Sequence, residues 1–93
     1  MTRETVATIL EAEGAKGGGK GYAVPAGVEL TVFVATHGDV MTVPRVVRVD
    51  LKDTYLLLET AKDGRLFFCY EDIVGLKAGG ASPSRENAAG FGR

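Results

Sequence analysis

Glycine is confined almost wholly to two blocks of this 93-residue chain, and that confinement limits what it can fold into. Gly14, Gly17, Gly18, Gly19, Gly21 and Gly27 form the first block; Gly79, Gly80, Gly90 and Gly92 form the second. Only Gly38, Gly64 and Gly75 lie between. Glycine loses the most backbone freedom on folding and brings no side chain to a core. The ordered core is therefore expected between Val28 and Ala78, about 50 residues, a size that buries only about 60% of its unfolded surface. Such a domain is marginal alone, so self-association is expected before any motif is read.

Within the glycine-poor stretch the pattern is that of β-strands. Glu29 to Thr36 alternates, with Leu30, Val32 and Val34 on one face. His37-Gly38-Asp39 reads as a turn, and Val40 to Asp50 as a second, longer strand. Pro44 has no N–H to donate, so it must sit at a bulge or an edge and bend this strand. Lys52-Asp53 turns into a third strand, Thr54 to Thr60. Ala61-Lys62-Asp63-Gly64 is a hairpin signal leading to a fourth, Arg65 to Tyr70. A single helical turn at Tyr70-Glu71-Asp72 precedes a short fifth strand, Ile73 to Lys77.

The flanks read differently. Residues 1–14 predict a helix: Thr2 is placed to cap it, Val6, Ile9 and Leu10 form one apolar stripe, and Gly14 ends it. Residues 15–27 predict a flexible glycine-rich linker, and residues 79–93 a disordered tail with Phe91 as its one large apolar side chain. The predicted class is mainly β: a small five-stranded Sm-like or SH3-like barrel over residues 28–78, preceded by the helix.

Eleven basic and twelve acidic residues give a formal net charge of −1, which implies no general attraction to nucleic acid or anionic membrane. No apolar run approaches the roughly 18 residues that a spanning helix needs. The opening Met1-Thr2-Arg3-Glu4 leads into an amphipathic stretch rather than an apolar leader, so a cytoplasmic protein is expected. The lone cysteine, Cys69, precludes an internal disulfide and agrees with a reducing compartment.

Three runs carry a family resemblance: Leu30 to Met41, Val47 to Glu59, and Phe67 to Val74. Together they resemble the Sm-like fold, and within it the bacterial Hfq-type RNA chaperones. The matching positions are Gly38, Asp50 or Asp53, Leu56 to Leu58, Tyr70 and Ile73. SH3-like barrels share much of the same pattern. The resemblance implies a homo-oligomeric ring with an RNA-binding face. Two departures qualify that. Tyr70-Glu71-Asp72 stands where the Hfq-type proteins carry a Tyr-Lys-His stretch, and its carboxylates would repel phosphate. The glycine usual in the bent second strand is missing, with Pro44 nearby.

Few residues suggest chemistry. Gly14 to Lys20 matches the first seven positions of a phosphate-binding G-x-x-x-x-G-K loop. That loop needs a strand before it, a helix after it and a hydroxyl next, whereas here Gly21 follows. A linker is the reading, with a weak electrostatic hold on an anion by Lys16 and Lys20 as the alternative. His37 is read as an exposed turn residue, since a lone histidine beside Asp39 does not make a metal site. Cys69 is read as a small hydrophobe whose acid–base partner would have to be His37. Glu71-Asp72 is read as a solvated turn. No catalytic residue, metal or cofactor is expected, and the chain is not expected to be an enzyme.

The candidate RNA or partner face comprises Arg45, Arg48 and Lys52, with Phe33, His37 and Tyr70, and with Tyr22 also able to stack on a base. Residues 28–78 carry six basic and eight acidic side chains, short of the basic excess usual in nucleic-acid modules. A cross-strand pair of Glu59 with Arg65 explains part of that charge equally well. Leu56-Leu57-Leu58 and Phe67-Phe68 cannot each face one interior, so both faces of the third and fourth strands are apolar. Either the helix covers the outer face or another subunit does, and Leu57, Phe67 and Ile73 are the candidate self-association residues. The expected function is a self-associating, non-catalytic adaptor or regulator acting through protein contacts. An RNA-binding ring is the alternative.

Overall fold

A computed structural model describes residues 1–18 and 21–80. Lys20 and residues 81–93, including most of the expected tail and Phe91, lie outside the described residues. Helix α1 spans Arg3–Ala12, and the Thr2 hydroxyl oxygen accepts a hydrogen bond from the Thr5 N–H at 3.1 Å, capping it as the sequence predicts. Among the described residues seven strands follow: β1 (Lys16–Gly18), β2 (Gly21–Ala23), β3 (Val28–Thr36), β4 (Asp39–Leu51), β5 (Tyr55–Thr60), β6 (Gly64–Cys69) and β7 (Ile73–Gly80). A single 3-10 turn, Tyr70–Asp72, precedes β7.

The strands form one antiparallel sheet, curled into an open half-barrel. Its organising element is β4. Val46 pairs with both Leu30 of β3 and Thr60 of β5, so those strands lie on opposite edges of β4. Arg48 pairs with both Ala23 of β2 and Glu59 of β5, which puts β2 on the same edge as β3. The strand therefore changes neighbours along one edge near Val46. Pro44 is at that place: Thr31 faces Pro44 and Arg45 together, where the β3–β4 register shifts between Leu30 and Val32. A second register shift isolates Val47 against β5. Arg45 takes the left-handed conformation of the bulge, φ 56°, which glycine would adopt without strain.

This bend explains the main departure from expectation. Residues 15–27 are not a flexible linker throughout, because β3 leaves the edge of β4 and β2 fills the vacancy. Gly21, Tyr22 and Ala23 pair with Asp50, Val49 and Arg48. Among the described residues seven strands are present in place of five, and the strands expected between 28 and 78 correspond to β3–β7. The last of these runs on through Gly79 and Gly80, which pair with Glu29 and Val28 rather than opening the tail.

The core lies on the inner face. Val6 and Leu10 of α1 join Val32, Val49, Leu56, Leu58 and Ile73 in one buried cluster. Burying each such side chain contributes about 1.5–3 kcal/mol before the entropy of ordering is counted. The helix thus covers the inner face of the curl. Of the two ways foreseen for covering the outer face of β5 and β6, the helix is not the one used.

Candidate functional site

The outer face of β5 and β6 follows from the period-2 alternation of a strand. Leu56 and Leu58 point into the core, so Tyr55, Leu57 and Glu59 point out. On β6 their directly opposed partners are Cys69, Phe67 and Arg65. The register has no irregularity across its six pairs, Tyr55↔Cys69 to Thr60↔Gly64. The rings of Tyr55 and Phe67 meet diagonally, with centroids 6.0 Å apart and planes tilted by 50°. Phe67 is 58% exposed and Tyr55 39%, and between them Leu57 is shielded to 9%. Cys69 is exposed beside them. The result is an apolar patch bordered by Glu59 and Arg65 at the hairpin end and by the Arg48–Asp50 ion pair, 3.1 Å, on β4.

Of the predicted self-association residues, Phe67 belongs to this patch and Leu57 forms its floor. Ile73 does not. It is 1% exposed inside the core, because Val34 pairs with it and the inner face of β3 carries it inward. Tyr55 was missed by the sequence reading, though its place two residues before Leu57, on the same face of the strand, was the signal that could have found it.

The structure does not bring the predicted RNA face together. Tyr70 is 9% exposed, and its hydroxyl donates to the Lys52 carbonyl at 2.6 Å. Burial pushes its phenol above the ordinary tyrosine range, against the opposing pull of Arg3. Tyr22 is buried as well and donates to a Glu11 carboxylate oxygen at 2.9 Å. That hydrogen bond to Glu11, with burial adding to it, raises its pKa. Neither ring is presented for stacking. Phe33 is half-buried beside Gly75, its partner on β7. His37 is exposed in the β3–β4 turn, at a cavity of about 290 Å³ lined with Ala35, Thr36 and Asp72. Arg45 lies at the bend, facing a 350 Å³ cavity with Glu29 and Val47. Lys52 lies just beyond the end of β4, in the turn to β5, at the opposite end of the bent half-strand from Arg45. Arg48 between them is paired with Asp50.

A cavity of about 590 Å³ lies between the start of α1, the β4–β5 turn and the 3-10 turn. Met1, Asp53, Cys69 and Glu71 are among its lining residues, so a thiol and carboxylates share it, while His37 lines a different cavity. Among the described residues no three His, Cys, Asp or Glu side chains converge to hold a metal ion. No helix among them is long and apolar enough to cross a membrane.

No family model matches the chain, and no significant match was found among curated proteins or solved structures.

Proposed function

We propose that this chain is a non-catalytic binding module, built on an Sm-like or SH3-like small barrel, that self-associates and acts in the cytoplasm as an adaptor or regulator through protein contacts. The observation that carries the reading is the outer apolar patch of Tyr55, Leu57 and Phe67. Phe67 exposes more than half of its surface in a domain small enough to need every large side chain it has. The order β7-β3-β4-β5-β6 with a sharply bent β4 supports the scaffold. The exposed thiol of Cys69 fits a reducing compartment.

Native mass by light scattering, with the 260/280 nm absorbance ratio of fresh material, tests the reading. An oligomer free of nucleic acid is expected. A monomer at every concentration overturns it, and an oligomer carrying RNA transfers the case to an RNA-binding ring.

A further inference from the structure

Four stretches of sheet edge lack a partner among the described residues: β1, β6, β7 and the first half of β4 on the side away from β3. An open edge is a template for pairing, and proteins blunt edges with short strands, bulges, proline and lysine. Three of the four are blunted. β1 has three residues and Gly17 at φ 136°. β7 carries Lys77, Gly75 and a register shift against β3. The exposed half of β4 ends at Pro44 and the left-handed Arg45. β6 alone has no proline, lysine or bulge, its register with β5 is unbroken, and its one charged side chain, Arg65, is directly opposed by Glu59 of β5.

Resting on the self-association proposed above, we infer that β6 pairs antiparallel with β6 of a second copy across a two-fold axis, joining two half-barrels into one continuous sheet. Directly opposed residues in such a sheet point to the same face, so odd-numbered residues of β6 must oppose odd-numbered ones. The register centred on Phe67 sets Phe67 against Phe67 of the other copy outside and Leu66 against Phe68 inside. Moving the centre to Leu66 would set Arg65 against Phe67 and Phe68 against Gly64. Apolar and aromatic cross-strand pairs favour the first arrangement. It also extends the Tyr55–Phe67 cluster across the axis, covering the aromatic surface that a single copy leaves in water.

This register opposes Arg65 to Cys69 of the second copy. Opposed α-carbons lie about 4.5–5.5 Å apart, within the span of a disulfide. Within one chain the same positions are about 13 Å apart along β6 and cannot be bridged. The test is Arg65→Cys with Cys69 retained, oxidised with diamide and run on a non-reducing gel beside the wild type and Arg65→Cys/Cys69→Ser. Most of the Arg65→Cys chain is expected at twice the monomer mass, and neither control. Phe67→Arg, at an exposed position, is expected to give a monomer by light scattering. An Arg65→Cys protein that oligomerises without cross-linking overturns the β6 pairing and leaves self-association standing. Cross-linking of either control overturns the register. A wild type that is monomeric at every concentration sinks both this inference and the proposed function.

Discussion

The guanidinium of Arg48 pairs with the carboxylate of Asp50 at 3.1 Å, directly over the α-carbon of Gly21 on the neighbouring strand. A methyl group at Gly21 would meet only the ends of those two side chains, which can move aside. At Gly17, φ 136°, a methyl group would run into the backbone carbonyl of Gly21. Of the two glycines of one hairpin, only Gly17 is therefore required by the backbone.

Gly21→Ala is expected to be nearly neutral, since an exposed ion pair is worth under about 1 kcal/mol and alanine regains about 0.4–1 kcal/mol through the unfolded chain. Gly17→Ala is expected to detach the hairpin from β4. Hydrogen exchange reads the difference at the Val24 N–H, which donates to the Val47 carbonyl at 3.0 Å. Protection there persists in the first variant and is lost in the second.

Arg45 holds a backbone conformation that costs a side-chain-bearing residue about 1–2 kcal/mol. Arg45→Gly is expected to raise stability by up to about 1 kcal/mol, and Arg45→Val to lower it by at least as much, because a β-branched residue fits φ 56° least well. Urea midpoints of the three proteins check the order. An unchanged midpoint in both variants would remove the strain assigned to the bulge.

Leu10→Ala empties a site at the centre of the inner cluster and is expected to cost about 2–5 kcal/mol, enough to unfold much of a domain this small. Leu57→Ala is expected to cost less, because Leu57 lies outside that cluster under the Tyr55 and Phe67 rings. Chemical denaturation of both variants separates the two faces of β5. Equal losses would contradict the assignment of Leu57 to the outer face.

Tyr22 and Tyr70 both have raised pKa values, the first mainly through its hydrogen bond to Glu11, the second mainly through burial. A raised phenol favours the folded state while it stays protonated. That stability is fully present below the unfolded value of 10.0 and is lost as pH rises through the folded value. Unfolding midpoints are thus expected to hold level in this respect up to pH 10 and to fall above it. Tyr22→Phe and Tyr70→Phe should each lessen that alkaline fall. A slope above pH 10 identical to wild type in both variants would refute the linkage.

Local pattern carried a good deal of this architecture. Leu30, Val32 and Val34 alternate because one face of β3 is buried, Gly64 closes the β5–β6 hairpin at φ 79°, and Pro44 marks the bulge it had to mark. Half of the candidate patch was legible too, since Leu56-Leu57-Leu58 and Phe67-Phe68 require two apolar faces. Tyr70 and Ile73 were misplaced because an aromatic or aliphatic residue at a strand end reads alike whether it turns in or out.

What the sequence by itself determined was the set of strands from β3 to β7, the capped helix before them, and the pairs of faces each strand presents. These follow from turn chemistry and from a period of two, both local. Only the tertiary structure decided that α1 covers the inner face, that the glycine-rich segment adds β2 to β4, and that β6 is left as the unguarded edge. Those outcomes depend on where β3 leaves β4 at the Pro44–Arg45 bulge, and the partners that meet there are far apart along the chain.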